Sequence, residues 1–292
     1  MTPLDYDYLR KLLKDRSGLV LSADKQYLVE SRLTPLARKA GLATLTELVG
    51  KLRQNNERLI VDVVEAMTTN ESFFYRDKIP FDHFTNAIMP SLLAARAREK
   101  RVRIWCAAAS TGQEPYSLAM CLKEMKDKVA GWRIEIIGTD LSTEVLEKAK
   151  AGVYSQFEVQ RGLPIQLLVK YFTQTGDTWQ ISPEIRAMVQ YKPLNLLADF
   201  AHLGNFDVVF CRNVLIYFGQ ETKVGVLNRI ARMLEGDGYL VHGAAETVVG
   251  LTESFKPLAD RRGLYAPNKD ALKPAAVAKP AALRPLAAVG AR

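Results

Sequence analysis

WCAAASTGQEPYS, residues 105–117, decides the fold. It follows an apolar run containing Val102, Ile104 and Trp105, and it leads into a helix start at Glu114-Pro115. Strand, tight turn and helix, in that order, open a nucleotide-binding α/β sheet. The turn keeps only Gly112 of the glycines such loops carry; Ala107, Ala108 and Ala109 stand at the other places. Loop glycines let the backbone approach a pyrophosphate. Their absence argues against NAD and FAD.

Working outward, strands and helices alternate from about residue 88. VRIWCA and WRIEIIGTD read as strands, and EPYSLAMCLKEM and TEVLEKAKAG as helices, the second capped by Ser142 or Thr143. MVQYKPLNLL, FDVVFCRNVLIYF, the helical ETKVGVLNRIARML and the turn-plus-strand EGDGYLVHG follow. Apolar strands alternating with helices predict an α/β fold with a mostly parallel, doubly wound sheet. The run YFTQTGDTWQISPEIRAMVQY departs from this pattern, with a Gly-Asp turn between two short β-like runs. It predicts a small β-subdomain inserted over about 155–193.

Upstream, residues 1–67 carry four amphipathic stretches at helical spacing and predict an all-helical N-terminal domain. Ser22 is the expected cap of the second helix, and Pro35 is expected to kink or end it. Residues 68–87 mix polar residues, adjacent aromatics and a proline, and read as a connector. The sheet domain then runs over 88–266. From 267 to 292 the chain is Ala/Pro-rich without periodicity and reads as a disordered tail.

Composition excludes several classes. No apolar run is long enough to span a bilayer, so direct membrane insertion is not expected. The three cysteines have no metal-like spacing and fit a reducing cytosol. No metal site is expected. The net charge of +8 suits an acidic partner or simply a solvated surface.

The loop chemistry points to one cofactor. S-adenosylmethionine has adenosine without a phosphate, so it can use this turn without the glycines. Asp140, at the end of the second strand, is placed to take two ribose hydroxyls. Glu114, just past the turn, is placed to hold an ammonium group.

TTNESFFYRD, IWCAAASTGQEPYSLAM, IIGTDLSTEVLEKAKAGVY, LNLL and FDVVFCRNVLIYF together resemble the chemotaxis receptor methyltransferases, the CheR family. The resemblance covers roughly 1–265. It implies a Rossmann-type class I S-adenosylmethionine-dependent methyltransferase domain with an inserted β-subdomain, behind an all-helical domain. It implies methyl transfer to glutamates on chemoreceptor cytoplasmic helices, giving glutamyl methyl esters and S-adenosylhomocysteine. The resemblance assigns Asn70, Ser72 and Arg76 to cofactor binding from the connector, with Ser72 in place of a threonine. It assigns Glu114 and Asp140 to the cofactor, and the pair Asn195 and Leu196 to the adenine. Arg212 and Asn213 fall on the methionine end, and Tyr217 beside the transferred methyl as the catalytic residue. Arg32 and Arg38 match a basic receptor-facing helix, although their spacing of six leaves them off one straight face. No motif places a catalytic arginine; Arg96 and Arg98 are the nearby candidates.

A glutamate carboxylate is already ionised at pH 7, so the transfer needs no general base. His83, His202 and His242 accordingly lie outside the motifs. A nucleic-acid methyltransferase is disfavoured: Arg212-Asn213-Val214-Leu215 replaces the Asp/Asn-Pro-Pro-aromatic of adenine enzymes, and no cysteine follows a proline. The remaining alternative is a non-catalytic S-adenosylmethionine-binding or signalling module. The expected form is a cytoplasmic monomer that meets the receptor transiently.

Overall fold

The structure is a computed structural model and describes residues 1–271. All but the first five residues of the expected tail lie outside the described residues.

Four helices open the chain: α1 (Pro3–Ser17), α2 (Gln26–Lys39), α3 (Leu45–Arg53) and α4 (Glu57–Met67). Thr2 caps α1 by accepting the Asp5 N–H at 3.2 Å, and Pro3 sits in the first turn, where a missing N–H costs nothing. Gly18 ends α1 at a φ of 79°. Thr44 and Asn56 cap α3 and α4 in the same way as Thr2. The inner faces, among them Leu9, Leu13, Val29, Leu33, Leu48 and Val63, form one core.

Neither expected limit of α2 is where the sequence places it. Ser22 does not cap it; a 3-10 turn over 23–25 intervenes, and the Ser22 hydroxyl donates to Asp24 instead. Pro35 does not end it, because α2 runs on to Lys39. Pro35 and Ser31 are both exposed, so water can satisfy the carbonyl that loses its amide partner.

The connector leads through α5 (Ile79–His83) into α6 (Met89–Ala95). Then follow β1 (Arg101–Ala107), α7 (Gln113–Glu124), β2 (Arg133–Asp140), α8 (Thr143–Ala151), β3 (Val153–Ser155), α9 (Gln156–Gln160) and α10 (Ile165–Tyr171). The chain continues with β4 (Phe172–Thr175), β5 (Thr178–Ile181), α11 (Pro183–Arg186), β6 (Val189–Pro193), β7 (Phe206–Cys211) and α12 (Gln220–Met233). It closes with β8 (Leu234–Val241), β9 (Phe255–Pro257) and β10 (Leu264–Pro267).

The main sheet has seven strands in the order β6-β2-β1-β7-β8-β10-β9. β6, β2, β1, β7 and β8 pair in parallel, and β10 and β9 add an antiparallel edge. From Ile104 on, β1 is apolar and buried, and β7 is buried throughout with Asp207 its one charged residue, as strands covered on both faces must be. A three-stranded antiparallel sheet, β3-β5-β4, forms the insert. β6 lies inside the 155–193 stretch read as insert, yet it pairs with β2 and belongs to the main sheet. Fully buried Phe74 packs edge-on against Tyr154 and Phe172, which pins the connector to the insert. No helix among the described residues is long and apolar enough to cross a membrane.

Candidate active site

A cleft opens at the carboxyl ends of β1, β2 and β7, where open α/β sheets place their ligands. The ten residues Asn70, Ser72, Arg76, Glu114, Asp140, Asn195, Leu196, Arg212, Asn213 and Tyr217 all line it.

The turn after β1 is the floor. Ala108 and Ser110 take left-handed conformations, with φ of 64° and 50°, where glycine would be free of strain. Each such residue costs roughly 1–2 kcal/mol. Hydrogen bonds offset the strain: the Ser110 N–H donates to Asp140 at 2.8 Å, its hydroxyl to the Asn70 carbonyl at 2.9 Å, and the Ala109 N–H to the Thr139 carbonyl at 2.8 Å. The Gly112 N–H turns back to the Ala109 carbonyl at 3.0 Å. Amides committed in this way are not free to cradle a pyrophosphate, which agrees with the missing glycines. Gly112 remains glycine for two reasons: its φ is 94°, and a Cβ would sit 2.7 Å from the Tyr191 hydroxyl.

Asp140 holds one amide on each oxygen, Ser142 at 3.0 Å and Ser110 at 2.8 Å. Burial pushes its carboxyl above the usual carboxylate range, against the pull of these amides. A carboxylate oxygen accepts about two hydrogen bonds, so each oxygen keeps acceptor capacity.

Across the cleft, Arg212 at the end of β7 is 1% exposed. It pairs with Asp77 at 2.7 Å and Glu114 at 2.8 Å, and donates to the Arg76 carbonyl at 2.8 Å. Its Nε–H has no partner among the described residues. Glu114, expected to hold an ammonium group, is therefore also the counter-ion of Arg212. Burial raises its carboxyl, while the arginine opposes the shift.

The connector forms the side wall. Arg76 donates to the Glu71 carbonyl at 2.9 Å and lies 5.4 Å from the centre of the Phe73 ring. Asn195 caps its own turn by accepting the Leu197 N–H at 2.9 Å, and it donates to the Arg16 carbonyl at 2.7 Å. Leu196 packs into the core under the cleft.

The outer wall was not legible in the sequence. Ser17, at the end of α1, and Leu19, just beyond it, line the cleft. Leu19 bridges Phe218, and the Val20 N–H donates to the Tyr217 carbonyl at 2.9 Å. The helical domain thus borders the segment that carries Tyr217. Nothing local in Ser17–Leu21 announces this, because the contact spans about two hundred residues of chain.

The two candidate receptor-facing arginines part company. Arg32 donates to the Met67 carbonyl at 2.7 Å, the Thr68 carbonyl at 2.8 Å and the Thr69 hydroxyl at 3.2 Å, tying α2 to the connector. Arg38 is exposed. Arg96 pairs with Asp207 and Asp237 near the amino ends of β7 and β8, the end of the sheet opposite the cleft, so it does not reach the site. Arg98 is exposed and does not line the cleft.

Comparison with known proteins matches residues 4–68 to the CheR methyltransferase all-alpha domain and residues 70–264 to the CheR methyltransferase SAM binding domain. The chain is 42% identical over 256 residues to Chemotaxis protein methyltransferase 1 of Pseudomonas aeruginosa, covering 86% of this chain and 93% of that one. It is 38% identical over 264 residues to the Chemotaxis protein methyltransferase of Vibrio parahaemolyticus, covering 89% and 95%. Against the Escherichia coli Chemotaxis protein methyltransferase it is 35% identical over 269 residues, covering 90% of each. Methyltransferase sheet, helical domain and cleft thus coincide with both family models along nearly the whole described chain, and the chain belongs to the CheR methyltransferase family.

Proposed function

We propose that the protein transfers a methyl group from S-adenosylmethionine to glutamate side chains of a chemoreceptor cytoplasmic domain. The meeting in one cleft of the ten residues that the family resemblance assigns to cofactor and catalysis carries the reading. The residues present fit the cofactor. Asp140 has acceptor capacity for ribose hydroxyls, the free Arg212 Nε–H suits the carboxylate of its amino-acid end, and the engaged turn amides ask for no phosphate. When bound, S-adenosylmethionine supplies an electrophilic methyl on a sulfonium and leaves as S-adenosylhomocysteine.

The chain's own work is alignment and exclusion of water. Asn70, Ser72, Arg76, Glu114, Asp140, Asn195, Leu196, Arg212 and Asn213 hold the cofactor, and Tyr217 orients the acceptor oxygen. Orientation of this kind supplies roughly 7–11 kcal/mol of a barrier. The acceptor carboxylate arrives ionised at neutral pH, so no residue here has to remove a proton. The charges of carboxylate and sulfonium cancel during transfer, so a dry cleft lowers the barrier relative to the separated ions. Exposed Arg38 on α2 is placed to meet an acidic receptor helix. The protein acts in the cytoplasm, as a monomer.

The test is incubation with methyl-labelled S-adenosylmethionine and chemoreceptor-containing membranes, counting methanol released by mild base. Base-labile label on the receptor is expected, and Tyr217→Phe should reduce its rate by roughly ten-fold while cofactor affinity holds. Cofactor binding with no label transferred would favour the non-catalytic binding module.

A further inference from the structure

The turn after β7 is held from beneath by a side chain that no part of the reaction reading uses. Glu246 follows β8, and its side chain is 4% exposed. One carboxylate oxygen accepts the N–H of Asn213 at 2.6 Å and of Gly243 at 3.1 Å. The other accepts the N–H of Val214 at 3.2 Å and of Leu215 at 3.0 Å. A buried carboxylate is costly unless it is hydrogen-bonded. Here four amide dipoles, two on each oxygen, supply what a cation otherwise would.

Three of these amides, those of Asn213, Val214 and Leu215, belong to a strained turn. Asn213 sits at a φ of 57°. Strain of this kind persists only where the surroundings impose it. The cradle is tight: a Cβ on Gly243 would lie 2.9 Å from both the Asn213 side-chain nitrogen and a Glu246 oxygen. Asn213 and Tyr217 line the cleft, whereas Glu246 does not.

We propose that Glu246 is a positioning residue for methyl transfer. By fixing the main chain over 213–215 it keeps Asn213 and Tyr217 turned into the cleft, without touching cofactor or acceptor. The proposal rests on the methyl-transfer reading above.

Glu246→Gln tests it in the full chain. The amide is isosteric, but its NH2 confronts amide donors where an oxygen accepted them. Receptor methylation should lose roughly ten-fold to a hundred-fold in kcat per folded molecule, since small misplacements of reacting groups carry such costs. Amide hydrogen exchange at 213–215 should accelerate roughly ten-fold, with β7 unchanged, as expected for local opening. Glu246→Asp keeps the charge and should recover part of both. Should Glu246→Gln not fold, Gly243→Ala crowds the same cradle with the charge intact and is read by the same assays. A kcat within about two-fold of the parent per folded molecule would overturn the proposal, and so would unchanged exchange at 213–215. If the parent itself binds cofactor but methylates nothing, the functional reading fails instead. The clamp is then judged by exchange and by S-adenosylhomocysteine affinity: both altered uphold it, both unaltered overturn it.

Discussion

The turns after β1 and β7 solve one problem with the same device and put it to different uses. Each leaves the carboxyl end of a central strand through left-handed residues that are not glycine: Ala108 and Ser110 in the first, Asn213 in the second. Each is restrained by a buried carboxylate that accepts main-chain N–H groups, Asp140 for the first and Glu246 for the second. The difference is in what remains. Asp140 spends one acceptor position per oxygen and lines the cleft, so it can hold its turn and a ligand together. Glu246 spends two per oxygen and lies below the cleft, so it can only hold. The same chemistry thus makes a binding group where acceptor capacity faces outward, and a strut where it is used up.

The comparison breaks first at Asp140. Asp140→Ala should remove both the restraint on the Ser110 amide and the acceptors for the ribose. Hydrogen bonds to charged groups are worth roughly 1.5–3 kcal/mol each, so S-adenosylmethionine affinity should fall about a hundred-fold. Titration calorimetry reads this directly. Should Asp140→Ala leave affinity within a few-fold, Asp140 would be a strut like Glu246 and the distinction between the turns would vanish.

Gly112 sharpens the comparison, because it caps α7 at a φ of 94°, whereas Gly219 caps α12 at an ordinary φ of -66°. Gly112→Ala combines a φ of 94° with a contact of 2.7 Å to the Tyr191 hydroxyl. The expected loss is about 2–4 kcal/mol, in line with strained backbone sites and overpacking. Adding Tyr191→Phe deletes the nearest atom that the new methyl meets and should restore part of that loss, leaving the backbone share and the contacts to Ala149 at 3.0 Å and Tyr116 at 3.2 Å. Thermal denaturation of the two single variants and the double variant isolates the hydroxyl's contribution. Equal stability of Gly112→Ala and the double variant would mean that the Tyr191 hydroxyl carries none of the cost.

Legibility from sequence divides along similar lines. The first turn could be read because its cues are local: an apolar strand, a lone glycine, a Pro at a helix start, and an acid closing the next strand. The second could be read only in part. RNVLIYF marks the turn, but the acid that restrains it lies 33 residues on, in GAAE, where no period flags it. The antiparallel edge, β9 and β10, consists of strands of three and four residues, too short to show alternation. Pro35 does not end α2, because an exposed carbonyl can turn to water and let the helix continue.

Arg32 and Arg38 provide the smallest and most selective test, because sequence treats them as a pair and geometry does not. Arg32 anchors the carbonyls of Met67 and Thr68, and the connector that follows meets the first turn where the Asn70 carbonyl accepts the Ser110 hydroxyl. Loosening the connector should therefore reach the cofactor side of the cleft, as a rise in KM for S-adenosylmethionine of roughly three-fold to ten-fold, the equivalent of one net hydrogen bond. Arg32→Lys should recover part of the effect, since one nitrogen, Nη1, holds both carbonyls and an ammonium can replace it, whereas the Nη2 bond to the Thr69 hydroxyl is lost. Arg38→Ala touches no cleft residue and should leave that KM alone while raising the KM for receptor. That receptor effect should shrink as salt is added, since exposed charges are screened within about 10 Å at 0.1 M. If both variants alter only receptor KM, the connector clamp has no bearing on the cofactor. The first turn would then be held by Asp140 and the Thr139 carbonyl, without help from the connector.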